Sequence, residues 1–153
     1  MAGTRRVRTD TLLRRIFRAE RLDDVIRQNG PSMQAEDFQT CLAGLCRELD
    51  AVPERVIRRA EIERSYGHQL FNGTRRPSRD KVLQLAFGFG LDVEQAQRLL
   101  RSAGKSPLYP RLKRDTVILF ALSKSMSVIE VQGLLEEYDL TPLGGMTGYE
   151  QQT

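Results

Sequence analysis

The stretch from residue 61 to 86 constrains the fold most, because it predicts a helix, an abrupt stop and a second helix in quick succession. Gly73 is placed to end the first helix, since the residue after a helix often takes a positive φ, which glycine adopts without steric cost. Residues 74–76 then form a short basic loop, and Pro77 precedes Ser78, whose hydroxyl is suited to cap the second helix.

The helix before Gly73 has an apolar and a polar side. Leu70 and Phe71 supply contacts to a core, and the polar residues left to face outward are Arg64, Ser65, His68 and Gln69. A polar helix beside a basic loop is the arrangement that reading of the DNA major groove requires.

At this point the chain resembles the lambda-repressor-like, or XRE-type, helix-turn-helix family, over roughly residues 38–103. The residues that carry the resemblance follow Gly73 at the family's spacing: Pro77, Ser78, Leu83, Leu85, Ala86, Phe89, Leu91 and Asp92. The resemblance implies an all-α fold with a five-helix core, a recognition helix in the major groove, and binding as a dimer. Four residues depart from the family pattern. Pro53 replaces a phosphate-binding Gln, Ile57 a small Ala, Glu61 the turn Gly, and Gly67 a branched apolar residue.

Matched to the family motif by position, Arg64, Ser65, His68 and Gln69 are the candidate base-reading residues. Arginine can fork onto a guanine and glutamine onto an adenine, each worth about 1 to 3 kcal/mol against a wrong base. Arg64 pairing only with Glu61, and Gln69 serving only as a solvated helix residue, are the alternatives. Tyr66 either packs on the neighbouring helix or stacks on the DNA backbone.

Phosphate contacts are predicted from the basic residues around the turn, since phosphates attract arginine without regard to sequence. The candidates are Arg55, Arg58, Arg75, Arg76 and Arg79, and the resemblance adds Asn72 as a residue that binds the DNA phosphate backbone. The net charge of +4 is unevenly distributed, because basic residues surround this region while residues 125–153 carry only acidic charges.

The chain divides into four predicted segments. Residues 1–30 form a mobile basic arm with Arg5, Arg6 and Arg8 and then one amphipathic helix, 10–28, for which Asp10 is the predicted cap. Residues 34–104 form the helix-turn-helix domain, residues 105–143 a C-terminal helical hairpin, and residues 144–153 a disordered tail. The extra N-terminal helix packs on the C-terminal extension, dimerises or binds a partner.

Besides the helix that ends at Gly73, the middle segment is predicted to have helices at 34–49, from Pro53 onward with Ile62 as the apolar plug of the turn, at 78–87, and at 93–103. Gly88 and Gly90 end the helix at 78–87, and Asp92 with Gln95 forms a capping box for the helix at 93–103. The hairpin helices are predicted at 111–123 and 128–138, the second capped by Ser127 with Glu130.

An internal repeat relates the two halves of the C-terminal region. Residues 79–108 align without a gap to residues 114–143, with ten identical pairs that include Arg79/Arg114, Asp80/Asp115 and Gln97/Gln132. A copied helical hairpin explains this pattern, and chance similarity between amphipathic hairpins is the alternative.

No enzymatic constellation, metal site or cofactor motif is evident, so we expect a non-catalytic protein without cofactors. His68 is the only histidine, and Cys41 and Cys46 are predicted to be small core residues. We find no membrane span or signal peptide and expect a cytoplasmic protein.

Two functions are compatible with these features. The first is sequence-specific binding of double-stranded DNA by a homodimeric transcriptional regulator of bacterial or phage type. The second is a non-catalytic adaptor that uses the helix-turn-helix fold to bind a protein or ribonucleoprotein partner in a toxin-antitoxin or phage-defence complex.

Overall fold

The computed structural model describes residues 7–33 and 36–144, and all regular structure in these ranges is helical. The predictions of a basic arm at Arg5 and Arg6 and of a disordered tail after residue 144 lie outside the described residues. The described chain forms two compact units, one before Asp37 and one from Asp37 onward. None of the described helices is long and apolar enough to cross a membrane.

The N-terminal unit contains helix α1 (Thr9–Arg18), helix α2 (Leu22–Asn29) and a 3-10 turn (Gly30–Met33). The prediction of one continuous helix over 10–28 is therefore wrong. After the break α2 contacts α1, Val25 on α2 is buried, and the Arg15 guanidinium donates to the Asn29 side chain over 2.7 Å, a contact that one continuous helix could not make. Asp10 does not cap α1, since its carboxylate accepts only from the Thr11 backbone N–H at 3.0 Å and the N-cap position belongs to Arg8.

The second unit contains the remaining helices and one continuous apolar core. In chain order they are α3 (Phe38–Leu49), α4 (Pro53–Arg59), α5 (Arg64–Asn72), α6 (Arg79–Phe89), α7 (Val93–Ser102), α8 (Lys113–Ser123) and α9 (Val128–Glu137). α3 begins four residues later than predicted, because Asp37 caps it by accepting the Thr40 N–H at 2.7 Å. That hydrogen bond also lowers the pKa of Asp37. Cys41 is buried in the core as predicted, and Cys46 is half-buried.

α4 ends in a tight turn that aims α5. The Glu61 N–H donates to the Arg58 carbonyl at 3.1 Å and the Ile62 N–H to the Ile57 carbonyl at 3.3 Å, which is the Schellman pattern of a helix end. Glu61 takes a φ of 57° to close this turn, a left-handed conformation that usually belongs to glycine. Ile62 is 7% exposed, which confirms it as the apolar plug.

α6 runs through Gly88, which the sequence predicted as a helix breaker. Gly88 is needed instead for the close approach of α4, since a Cβ at this position would lie 2.5 Å from the Val56 carbonyl oxygen. The break comes at Gly90, whose φ is 73°. Ser78 caps α6 as predicted by accepting the Lys81 N–H at 3.2 Å.

The hairpins α6–α7 and α8–α9 repeat the same hydrogen bonds at a spacing of 35 residues. The Gln97 side chain brackets Leu108, accepting its N–H at 2.7 Å and donating to its carbonyl at 3.0 Å, and Gln132 brackets Leu143 at 2.7 and 2.8 Å. Both predicted capping boxes are present, at the starts of α7 and α9. These shared bonds support the interpretation that one hairpin was copied.

Two arginine–aspartate pairs join the hairpins reciprocally. Arg79 at the start of α6 binds both carboxylate oxygens of Asp115 at 3.0 and 3.1 Å, and Arg114 in α8 binds both oxygens of Asp80 at 3.0 Å. α6 also contacts α9, and α7 contacts α8. The C-terminal hairpin therefore packs on the α6–α7 hairpin through equivalent surfaces, as in a pseudo-symmetric dimer within one chain.

Candidate nucleic-acid interface

α5 is held at both ends by local capping. The Glu63 carboxylate accepts the N–H groups of Ser65 and Tyr66, each at 2.9 Å, and these two bonds lower the pKa of Glu63. At the other end Gly73 takes a φ of 85°, which confirms it as the residue that stops the helix. α5 is thus a short helix of nine residues whose start is capped by Glu63 and whose end is set by Gly73.

Arg64 and His68 share one carboxylate partner on α4. The Arg64 Nε donates to Glu54 Oε1 at 2.7 Å, and the His68 Nε2 lies 2.6 Å from Glu54 Oε2. Arg64 pairs with Glu54 and not with Glu61, the partner considered from the sequence. The side chain of Arg64 is nevertheless 77% exposed, so its terminal nitrogens face solvent.

Gln69 is fixed by the basic loop. Its Oε1 accepts the Arg75 Nε at 3.0 Å, and the Arg75 backbone N–H donates to the Gln69 carbonyl at 3.2 Å. The Arg75 guanidinium carbon lies 4.4 Å from the centre of the Tyr66 ring, and the Lys81 ammonium lies 5.5 Å from it. Tyr66 packs partly on the core and offers a ring face to two cations, a favourable cation–π geometry.

The other predicted site residues differ in whether their side chains are bound within the protein. Ser65 is exposed in the first turn of α5, and Arg55, Arg58 and Arg76 are exposed and form no ion pair within residues 7–33 and 36–144. Asn72 shapes the loop, because its side-chain oxygen accepts both the N–H and the hydroxyl of Thr74.

Arg79, a predicted phosphate ligand, uses its donors inside the protein. Besides its two bonds to Asp115, it donates to the carbonyls of Ser106 and Pro107 at 3.0 and 3.1 Å. Its side chain is 24% exposed. Arg79 therefore joins the start of α6 to α8, and Arg75 and Arg76 are the exposed cations of the loop.

An open cleft of about 960 Å³ lies beside α5 and the loop. Its cationic lining comprises Arg75, Arg76, Arg79, Lys81, Lys105 and Arg114, and its acidic lining comprises Glu61, Glu63 and Asp80. Lys81 and Lys105 were not among the candidates identified from the sequence, and only the fold brings Lys105 to this cleft. Glu54 was not identified either, since nothing local links it to a partner ten residues away.

The remaining polar groups do not form a metal site within the part of the chain that the structure describes. Cys46 is a free thiol whose pKa is raised by burial. The chain matches no family model, no curated protein and no solved structure with which it was compared.

Proposed function

We propose that this chain is a sequence-specific binder of double-stranded DNA, a bacterial or phage transcriptional regulator whose α5 reads the major groove. In this proposal α3–α7 form the five-helix core of an XRE-type helix-turn-helix protein, with α4 and α5 as the two motif helices. The observation that carries it is the polar side of α5, where Arg64, Ser65, His68 and Gln69 lie between a capped start and a glycine stop, beside an exposed basic loop.

The side-chain contacts suit base reading. Arg64 is anchored through Nε, which leaves its two terminal nitrogens to donate together to the O6 and N7 atoms of a guanine. Gln69 is anchored through Oε1, whose second lone pair can accept from an adenine N6 amine while its own amine donates to N7. Fixing these long side chains before binding reduces the conformational entropy that association must remove.

Phosphate binding falls to exposed basic residues that precede and follow α5 in the chain. Arg55 and Arg58 are exposed on α4 and Arg75 and Arg76 on the loop, so the elements on either side of α5 in sequence both carry cations for phosphates. Asn72 supports this by holding the loop in shape through Thr74. Arg79 has no part in phosphate binding in this proposal.

We further propose a cytoplasmic homodimer that binds half-sites about one helical turn apart. The α6–α7 surface is covered by the chain's own C-terminal hairpin, through the reciprocal Arg79–Asp115 and Arg114–Asp80 pairs. A dimer must therefore form through another surface.

Selection of bound fragments from a random duplex pool at about 150 mM salt tests the proposal, since salt at this level suppresses purely electrostatic binding. We expect wild type to enrich an inverted repeat and the variant Arg64→Ala/Gln69→Ala to enrich none. The matched control Arg101→Ala/Arg111→Ala removes two exposed arginines outside α5 and should enrich the same repeat as wild type. Thermal unfolding of each variant establishes that it is folded.

The adaptor function is supported by one different observation. Phe17, Leu22 and Ile129 are each at least 70% exposed, and large apolar side chains at a surface favour contact with another protein. If neither wild type nor the α5 variant enriches any sequence, base reading by α5 is wrong and the adaptor function takes its place.

A further inference from the structure

Glu54 occupies a position from which it can control two residues of α5 at once. It lies in the first turn of α4, and each of its carboxylate oxygens is used by a different side chain, Arg64 on one and His68 on the other. The pKa of Glu54 is lowered, first by the hydrogen bond from His68 and then by that from Arg64. The carboxylate is therefore ionised and shared at neutral pH.

Stability alone gives little reason for this arrangement. Glu54 is 39% exposed and Arg64 is 77% exposed, and ion pairs between exposed side chains contribute little to folding because water and salt screen them. An acidic group at the edge of a DNA-binding surface also repels phosphates. A carboxylate held here needs a benefit that offsets this repulsion, and the orientation of its two partners is such a benefit.

The geometry points to Glu54 as the positioning residue that sets the base preference of Arg64 and His68. It binds the Arg64 side chain by Nε, the one guanidinium nitrogen that a fork onto guanine through the terminal nitrogens does not use. It also holds the imidazole of His68 through Nε2, which leaves Nδ1 as the other hydrogen-bonding group of the ring. This inference rests on the proposed DNA-binding function and assigns a role to a residue that touches no base itself.

Orientation of Arg64 by Glu54 is a different effect from the electrostatic attraction between Arg64 and DNA. Without the carboxylate, Arg64 keeps its charge and still attracts phosphates, but its guanidinium samples many rotamers and loses register with the base edge. Removing Glu54 should thus reduce discrimination between bases more than it reduces affinity for DNA in general.

The experiment measures binding of the selected site and of a set carrying each other base at the position that responds to Arg64→Ala. Proteins compared are wild type, Glu54→Ala, Arg64→Ala and the double variant, with Glu48→Ala as matched control. Glu48 is an exposed glutamate that binds Arg98 with both oxygens at 3.2 Å, so the control removes a similar ion pair from α3. Thermal unfolding is recorded for all five proteins.

We expect Glu54→Ala to lower the preference for guanine at that position by about five- to tenfold, a loss within the range of one bidentate base contact. Adding Glu54→Ala to Arg64→Ala should lower it no further, and Glu48→Ala should leave it unchanged. The inference is overturned if Glu54→Ala keeps the preference, sharpens it, or weakens binding equally to every base in both backgrounds. If wild type itself selects no site, the proposed function fails and this inference fails with it.

Discussion

Ile57 on α4 packs directly against Gly67 on α5. A Cβ built on Gly67 would lie 2.4 Å from Ile57 Cγ2, closer than two carbon atoms approach, and Ile57 is 2% exposed. In the sequence, Ile57 and Gly67 were two separate departures from the helix-turn-helix pattern expected there. In the structure the two departures compensate each other, because the large Ile57 side chain on α4 occupies the space that a side chain at position 67 on α5 would otherwise fill.

Gly67→Ala should destabilise the protein, although alanine ordinarily favours a helix over glycine by about 1 kcal/mol. The added methyl overpacks the contact with Ile57, and we expect a net loss of about 1 to 3 kcal/mol in the free energy of unfolding. Urea denaturation of Gly67→Ala, Ile57→Ala and the double variant measures this. The double variant should lose less than the sum of the single losses, because the space vacated at Ile57 accepts the new methyl.

Gly133→Ala is the matched control on α9. Apart from its chain neighbours and the backbone of its own helix, nothing in the described part of the chain lies within 4 Å of a Cβ built at Gly133, so alanine should stabilise this helix by up to about 1 kcal/mol. Additive losses in the Gly67/Ile57 cycle would show that the two residues do not share one volume.

Local patterns in the sequence predicted several of the helix ends correctly. Gly73, Ser78 and the two capping boxes were placed correctly because each cap is formed by residues within a few positions of one another. The repeat was visible for a similar reason, since two copies of one hairpin keep their apolar periodicity and their identical pairs such as Gln97/Gln132.

Features that depend on distant contacts were not predictable. The break between α1 and α2 accompanies the contact of Arg15 with Asn29, and Gly88 within α6 leaves room for the close approach of Val56. Local propensity carries no information about either contact. The pairing of Glu54 with Arg64 and His68 has the same origin, because these partners lie ten and fourteen residues away along the chain.

Glu61→Gly should stabilise the turn between α4 and α5. Glu61 holds a φ of 57°, where a side chain costs roughly 1 to 2 kcal/mol, while glycine gains freedom in the unfolded chain worth roughly 0.4 to 1 kcal/mol. We expect a net gain of about 0.5 to 1 kcal/mol by urea denaturation. Asp50→Gly, at a φ of 51°, should gain less because aspartate tolerates this conformation better. An equal gain at both positions would contradict this explanation.

Arg79→Ala should cost about 3 to 5 kcal/mol of unfolding free energy, because it leaves the carboxylate of Asp115, which is 2% exposed, without its cation. Arg114→Ala is the repeat-related control. Its partner Asp80 has a side chain that is 15% exposed, so water compensates in part and we expect a loss of about 1.5 to 3 kcal/mol. Chemical denaturation of both variants measures the difference. A phosphate-binding role for Arg79 would instead appear as a lower salt dependence of DNA binding with little loss of stability.

Glu63→Gln should lower the melting temperature of the protein at neutral pH, and the deficit should shrink in acid. Each Glu63 oxygen accepts one N–H of α5, and glutamine offers only one acceptor oxygen for two donors. Because these bonds lower the pKa of Glu63 in the folded protein, its carboxylate contributes stability above the ordinary glutamate value of about 4.3. That contribution disappears as the pH falls through the lowered pKa.

Melting temperatures of wild type and Glu63→Gln from about pH 7 to pH 2 test the sign of this pH dependence. Ser78→Ala removes a neutral cap from α6, so its deficit should stay constant over the same range. A Glu63→Gln deficit that is equally insensitive to pH would show that the ionised cap does not stabilise α5.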